Sequence, residues 1–300
     1  MWFRNLQVFR IAAGLPATAA ELSATLTGLT FQPCSAQDLS SAGWIAPRAG
    51  GELVHAVGGH WLLALRREQK LLPGSVVREE AEERARQIEA EMGVRPGRKR
   101  MLELREQVMQ ELLPRAFSRR ATTWLWCDPR GGWLGIDASS RARAEDALEL
   151  LVKAVDGLRL APLHTALAPA AAMARWLSGD EAPAGFTIDR DCELRLPAGE
   201  HATVRYVRHD LSGDEVRQHL ANGKQPTRLA LTWADRLSFV FTDTLEIKRL
   251  AFLDVLEDEL QQQAGSADES FDASFALMAG EFSRLLPDLV AALGGEVDAG

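Results

Sequence analysis

The sequence is short of cysteine, has one tyrosine and holds no long apolar run, and these shortages remove whole classes of protein. Cys34, Cys127 and Cys192 are its 3 cysteines. They lie far apart without CxxC spacing, so they point to neither a disulfide framework nor a zinc site and are expected to be small core residues. No stretch approaches the roughly 18 consecutive apolar residues of a membrane span. The opening Met1-Trp2-Phe3-Arg4-Asn5 lacks a basic region followed by an apolar signal core. A soluble cytoplasmic protein is the expectation. The common catalytic templates are missing too: there is no GxxxxGK phosphate loop, no HExxH helix and no GxSxG elbow. Their absence weakens an enzymatic reading, and no cofactor or metal is expected. His55 and His60 flank Gly58-Gly59 without a third ligand nearby, and His164, His201 and His219 form no pattern, so all are expected in ordinary core or surface roles.

What is present is a globular composition. The 300 residues are 46% hydrophobic, enough for a sizeable core in two domains or one elaborated domain. The net charge of −8 argues against a polyanionic partner, but its distribution is uneven. Residues 251–300 hold 11 acidic side chains against Arg284 alone, which leaves residues 1–250 at about +2. The strongest local excess lies within 95–120, where Arg95, Arg98, Lys99, Arg100, Arg105, Arg115, Arg119 and Arg120 face Glu103, Glu106 and Glu111.

The periodicities predict an α+β fold. A strand over Asn5–Arg10 is followed by a short helix ending near Leu26, then by a strand at His60–Leu65. Val77, Ala81, Ile88 and Met92 mark an amphipathic helix after Pro73. Beyond the break at Gly93, Pro96 and Gly97, a second helix carries Met101, Val108 and Leu112 up to Pro114. Together they predict a projecting helical hairpin, 76–114, inserted between the parts of an N-terminal α/β core, 1–75 and 115–165. Thr122–Trp126 and Trp133–Asp137 flank a turn at Asp128-Pro129-Arg130-Gly131-Gly132 and form a hairpin, followed by a helix over Ser140–Val155. The remaining 166–300 reads as a C-terminal α+β region. It has a strand at Thr203–Arg208, a short helix opened by a Ser212/Glu215 capping box, a meander through Arg228–Leu250 and acidic terminal helices.

Three groups of residues could carry chemistry. Arg98, Lys99, Arg100, Arg115, Arg119 and Arg120 suit phosphate, because the guanidinium fork donates paired, charge-assisted hydrogen bonds. Arg205, Arg208, His209, Lys224 and Arg228 lie on a strand, the loop after it and the next strand entry, from which they could converge. Asp210, Asp214 and Glu215 stand close to them, as on an ordinary mixed-charge surface. Asp235 with Glu246 and Lys248 loosely resembles the D…ExK set with which nucleases hold magnesium. A magnesium-dependent nuclease is therefore one alternative. A second is a protein-interaction scaffold whose acidic helices dock a basic partner.

Several segments also match one family in order and spacing. They are Phe3-Arg4-Asn5-Leu6, Phe31-Gln32-Pro33-Cys34, Gly43-Trp44, Glu68 to Pro73, Leu112 to Arg119, Ala144-Glu145-Asp146, Leu229 to Trp233, Lys248-Arg249-Leu250, Leu277 to Glu281 and Gly294-Gly295-Glu296. On these the chain resembles the recombination-associated protein RdgC family over essentially its full length. The resemblance implies a homodimer closed into a ring around double-stranded DNA, with single-stranded DNA left open as a second ligand. Binding would be without sequence preference and would limit access of the RecA recombinase, with no catalysis and a nucleoid-associated location. It places Phe117 at a subunit contact and Arg208 with His209 among the pore-facing groups.

Overall fold

The computed structural model describes residues 2–179, 181–197, 202–256 and 266–297. The chain forms a mixed α+β structure with two antiparallel sheets. Strands β1 (Gln7–Ala13), β2 (Ser40–Ile45), β3 (Val54–Val57), β4 (His60–Lys70), β5 (Ser118–Asp128), β6 (Trp133–Ile136) and β7 (Arg159–Pro162) make the first sheet, in the order β2-β4-β5-β6-β1-β7. β3 pairs with the first part of β4 and β2 with the rest. Gly43 on β2 is required by proximity: a Cβ there would sit 2.5 Å from the Phe31 backbone. In the second sheet, β8 (Phe186–Arg195), β9 (Thr203–Tyr206), β10 (Gln225–Trp233), β11 (Leu237–Thr242) and β12 (Ile247–Phe252) run in the order β12-β11-β10-β8-β9.

The first sheet is covered on both faces. Leu63, Leu65, Leu125, Leu134 and Ile136 pack on one side against α1 (Ala19–Leu26) and α4 (Arg141–Ala154). On the other side, Leu62 and Trp126 join Phe3, Leu6 and the long helix α7 (Ala267–Ala292). That same core takes in the inner face of the second sheet. Alternation along β10 and β11 buries Leu229, Leu231, Trp233, Leu237, Phe239 and Phe241 against α5 (Pro169–Ser178), α6 (Asp214–Ala221) and α7. Fully buried Phe275, Met278, Phe282 and Leu285 each contribute about 1.5–3 kcal/mol of apolar burial. A backbone bridge, Leu6 N–H to Ile247 O at 2.8 Å and Ile247 N–H to Leu6 O at 3.0 Å, stitches the sheets together. Between β4 and β5, α2 (Gly74–Met92) and α3 (Arg98–Leu112) pack on each other through a small cluster of their own, Ala81, Ala85, Leu104 and Val108.

Several expectations are corrected. α6 has Gly213, not Ser212, as its N-cap and so has no side-chain cap; the Ser212 hydroxyl donates to Asp210 Oδ1 at 2.8 Å. The acidic segment after 251 is not a peripheral tail. Its helix α7 lies at the centre of the molecule, and some of the segment's acids meet basic side chains from the rest of the chain. Glu281 is fully buried and accepts from Arg236 at 2.8 Å, Asp272 lies 2.7 Å from His55, and Glu296 accepts from Arg10 at 2.8 Å. Subtracting this segment from the charge balance therefore overstates the positive potential of the rest. Glu257, Asp258, Glu259 and Asp298 lie outside the described residues. Strands β2, β3, β7 and β8 went unanticipated; β8 hides its apolar alternation behind an irregular stretch at 189–191.

Candidate nucleic-acid interface

The arginine-rich stretch 95–120 does not form one patch. Arg98, Lys99 and Arg100 occupy the start of α3, and Arg115 follows its end, about 20 Å away at 1.5 Å per residue. Arg100 is held by Glu103 at 2.9 Å on the exposed helix surface. Arg119 and Arg120 then alternate on β5 and so take opposite faces of the first sheet. Arg120 donates to buried Glu68 at 3.1 Å and lies 5.8 Å from the Phe31 ring. The Glu68 carboxyl is held below its ordinary pKa, chiefly by the Ser118 hydroxyl and then by Arg120. Arg119 lines a groove beside α4 with Arg67, Arg143 and Lys153.

The second group converges in part. β8, β9, β10 and β12 pair so that Glu193 lies opposite Arg205 on one side and Arg228 on the other, while Lys248 lies opposite Val240. These residues fall on the sheet face turned away from α5, α6 and α7. There Arg205, Arg228, Lys248 and Arg249 border one recess with Asp191 and Glu193. Arg249 is the residue that sequence periodicity could not place. Two consecutive strand residues should point to opposite faces, yet both Lys248 and Arg249 reach the recess. A β-bulge opposite β11 sets Arg249 at φ +52°, and bulges of this kind re-aim a side chain.

Charge in the recess is mixed. Arg228 approaches Glu193 at 3.9 Å, and Lys248 meets Glu246 at 2.7 Å. Burial raises the carboxyl pKa of nearby Asp243, while Arg228 and Arg195 pull it down. Burial also pushes the Cys192 thiol up to about 12, so it brings no charge at neutral pH. Arg205 and Arg249 have no salt bridge among the described residues, which leaves their guanidinium groups available to an anion.

The other members of the group turn elsewhere. Arg208 has φ +53°, and its backbone N–H donates to Asp191 Oδ1 at 2.8 Å. His209 stacks near Tyr206 at 5.1 Å and approaches Glu215 at 3.6 Å, while Lys224 reaches His219 at 3.2 Å on the α6 side. His201 lies outside the described residues.

The D…ExK set is not assembled. Asp235 sits in the β10–β11 turn and Glu246 in the β11–β12 turn, at opposite ends of β11 and so about 17 Å apart at 3.4 Å per residue. Lys248 pairs with Glu246 alone. Among the described residues no group of three or more His, Cys, Asp or Glu side chains could hold a metal ion. No described helix is long and apolar enough to cross a membrane.

Phe117 is 84% exposed, an unusual position for a phenylalanine. It has apolar company that the sequence did not announce. Leu71 donates its N–H to Phe117 O at 2.7 Å, Lys70 donates to Leu39 O at 2.9 Å, and Leu39 and Leu71 are each 52% exposed. Register therefore sets Leu71 beside Phe117 on one face, whereas Leu39, opposite Lys70, falls on the other.

Comparison with known proteins adds a lineage to this geometry. A family model described as "Putative exonuclease, RdgC" matches residues 1–296. The recombination-associated protein RdgC of Dechloromonas aromatica (strain RCB) is 53% identical, and alignment covers 99% of each chain. Those of Janthinobacterium sp. (strain Marseille) and Herminiimonas arsenicoxydans are each 50% identical, again over 99% of each chain.

Proposed function

The chain belongs to the RdgC family, and we propose that it binds DNA without sequence preference, as a homodimer that encircles the duplex in the nucleoid and limits access of the RecA recombinase. The observation that carries this reading is the recess of Arg205, Arg228, Lys248 and Arg249 on an uncovered sheet face. Four cations delivered from three strands suit a phosphate backbone, whose charges are regularly spaced and independent of base identity. Lys248 thus serves as a phosphate ligand and not as part of a nuclease centre. The exposed apolar pair of Leu71 and Phe117 supplies a surface for a second copy of the chain, since aromatic side chains anchor interfaces when buried centrally. A self-complementary contact of that kind closes a symmetric dimer.

The test of encirclement is topological. Protein bound at low salt to closed circular plasmid is challenged with high salt, alongside the same plasmid linearised. A closed ring stays on the circle and slides from the linear ends; equal loss from both would overturn encirclement. Magnesium-dependent shortening of the linear DNA by pure protein would instead support the exonuclease description of the family model.

A further inference from the structure

The groove beside α4 is built differently from the sheet-face recess. It occupies about 510 Å³ between α4 and the face of β2, β4 and β5. Its helical wall carries Arg143, Asp146, Leu150 and Lys153, whose three- and four-residue spacing keeps them on one side of α4. Its opposite wall carries Arg67 and Arg119. Arg67 is tied to Asp146. Arg119, Arg143 and Lys153 have no salt bridge among the described residues, so the groove's cations outnumber its two carboxylates, Asp146 and Glu149.

We infer that this groove binds an extended acidic segment of a partner protein. Two features favour a peptide over a nucleic-acid strand. The floor includes Leu65, Ala121 and Leu150, which fit small apolar side chains and offer nothing to a sugar-phosphate chain. Glu149 stands at the rim with Asp146; a continuous row of phosphates would meet both, whereas a peptide can place carboxylates only where the cations are. Arg143 and Lys153 are ten positions apart, about 15 Å of helix. That span matches about five residues of extended chain. The segment that fits is therefore short, acidic at both ends and apolar at alternate positions between.

The test uses a fluorescein-labelled pentapeptide alternating aspartate and leucine with aspartate at both ends, and a lysine–leucine pentapeptide of the same pattern as control, in anisotropy titrations against the full-length protein. The aspartate peptide should bind saturably and the control should not. The double variant Arg143→Glu/Lys153→Glu should weaken peptide binding by about tenfold or more, as expected for loss of charge-assisted contacts. Its affinity for a duplex should stay within about twofold of the parent. Because both positions are exposed, the variant should keep the circular dichroism and urea midpoint of the parent. Absence of saturable peptide binding, or peptide binding indifferent to the double variant, would overturn the inference. So would displacement of the peptide by duplex DNA with a matching loss of DNA affinity in the variant, which would make the groove part of the nucleic-acid interface.

Discussion

Lys248 and Arg249 are consecutive residues of β12, yet both line the recess that also holds Arg205 and Arg228. The bulge that makes this possible holds Arg249 at φ +52°, a backbone conformation that disfavours residues with a Cβ. Stability and binding should therefore separate there. Arg249→Gly should leave the urea midpoint unchanged or raise stability by up to about 1 kcal/mol. The same change should weaken duplex binding by about tenfold, the cost of one lost charged hydrogen bond. Equal DNA affinity in that variant, measured by anisotropy, would remove Arg249 from the interface.

Phe117→Ser should be nearly silent in the protomer, because the ring is 84% exposed and its removal leaves no cavity. Unfolding free energy should shift by no more than about 0.5 kcal/mol. Self-association should weaken, more so when Leu71→Ser is added, as read by light scattering over a concentration series. An unchanged mass distribution in the double variant would show that this apolar surface is not a subunit contact.

The pH dependence of stability has a local contributor in His60. Burial disfavours its imidazolium and lowers its pKa below the ordinary 6.5, outweighing the attraction of Asp128. Its Nδ1 is buried without a hydrogen-bond partner among the described residues. Above 6.5 the histidine is neutral in both folded and unfolded chains, and its stabilising contribution is complete. As pH falls below 6.5, the unfolded chain takes up a proton that the folded one resists, so stability is lost through that window. Urea midpoints measured from pH 7.5 down to 5.5 should therefore fall less steeply in His60→Gln than in the parent. Parallel slopes would place the cause elsewhere.

Sequence periodicity located much of the fold where one side of an element is buried. The Leu229, Leu231 and Trp233 alternation marks β10, and the stripe through Ala81, Ile88, Met101 and Val108 marks the α2–α3 pair. It failed where the pattern was broken. The irregular register of β8 hid an interior strand of the second sheet, and the bulge of β12 hid the orientation of Arg249. At the candidate site, Arg205 and Arg228 were legible because each lies on a strand whose apolar alternation is plain in the sequence. Proximity in sequence misled at 95–120, where a helix separates one group of arginines from another and strand alternation splits Arg119 from Arg120. Charge counting misled after 251, because it cannot tell a solvated acidic tail from a packed helix in which acids such as Glu281 are already paired.

The central claim is that the sheet-face cations hold phosphates independently of sequence. It is tested most directly by a salt series on two unrelated duplexes, comparing the parent with the double variant Arg205→Ala/Arg228→Ala. Parent binding should weaken steeply and alike on both duplexes as salt rises. The variant should bind both more weakly, with a log–log salt slope lower by about 2, one for each lost phosphate contact. An unchanged slope and affinity in the variant, or a loss confined to one duplex, would contradict the account.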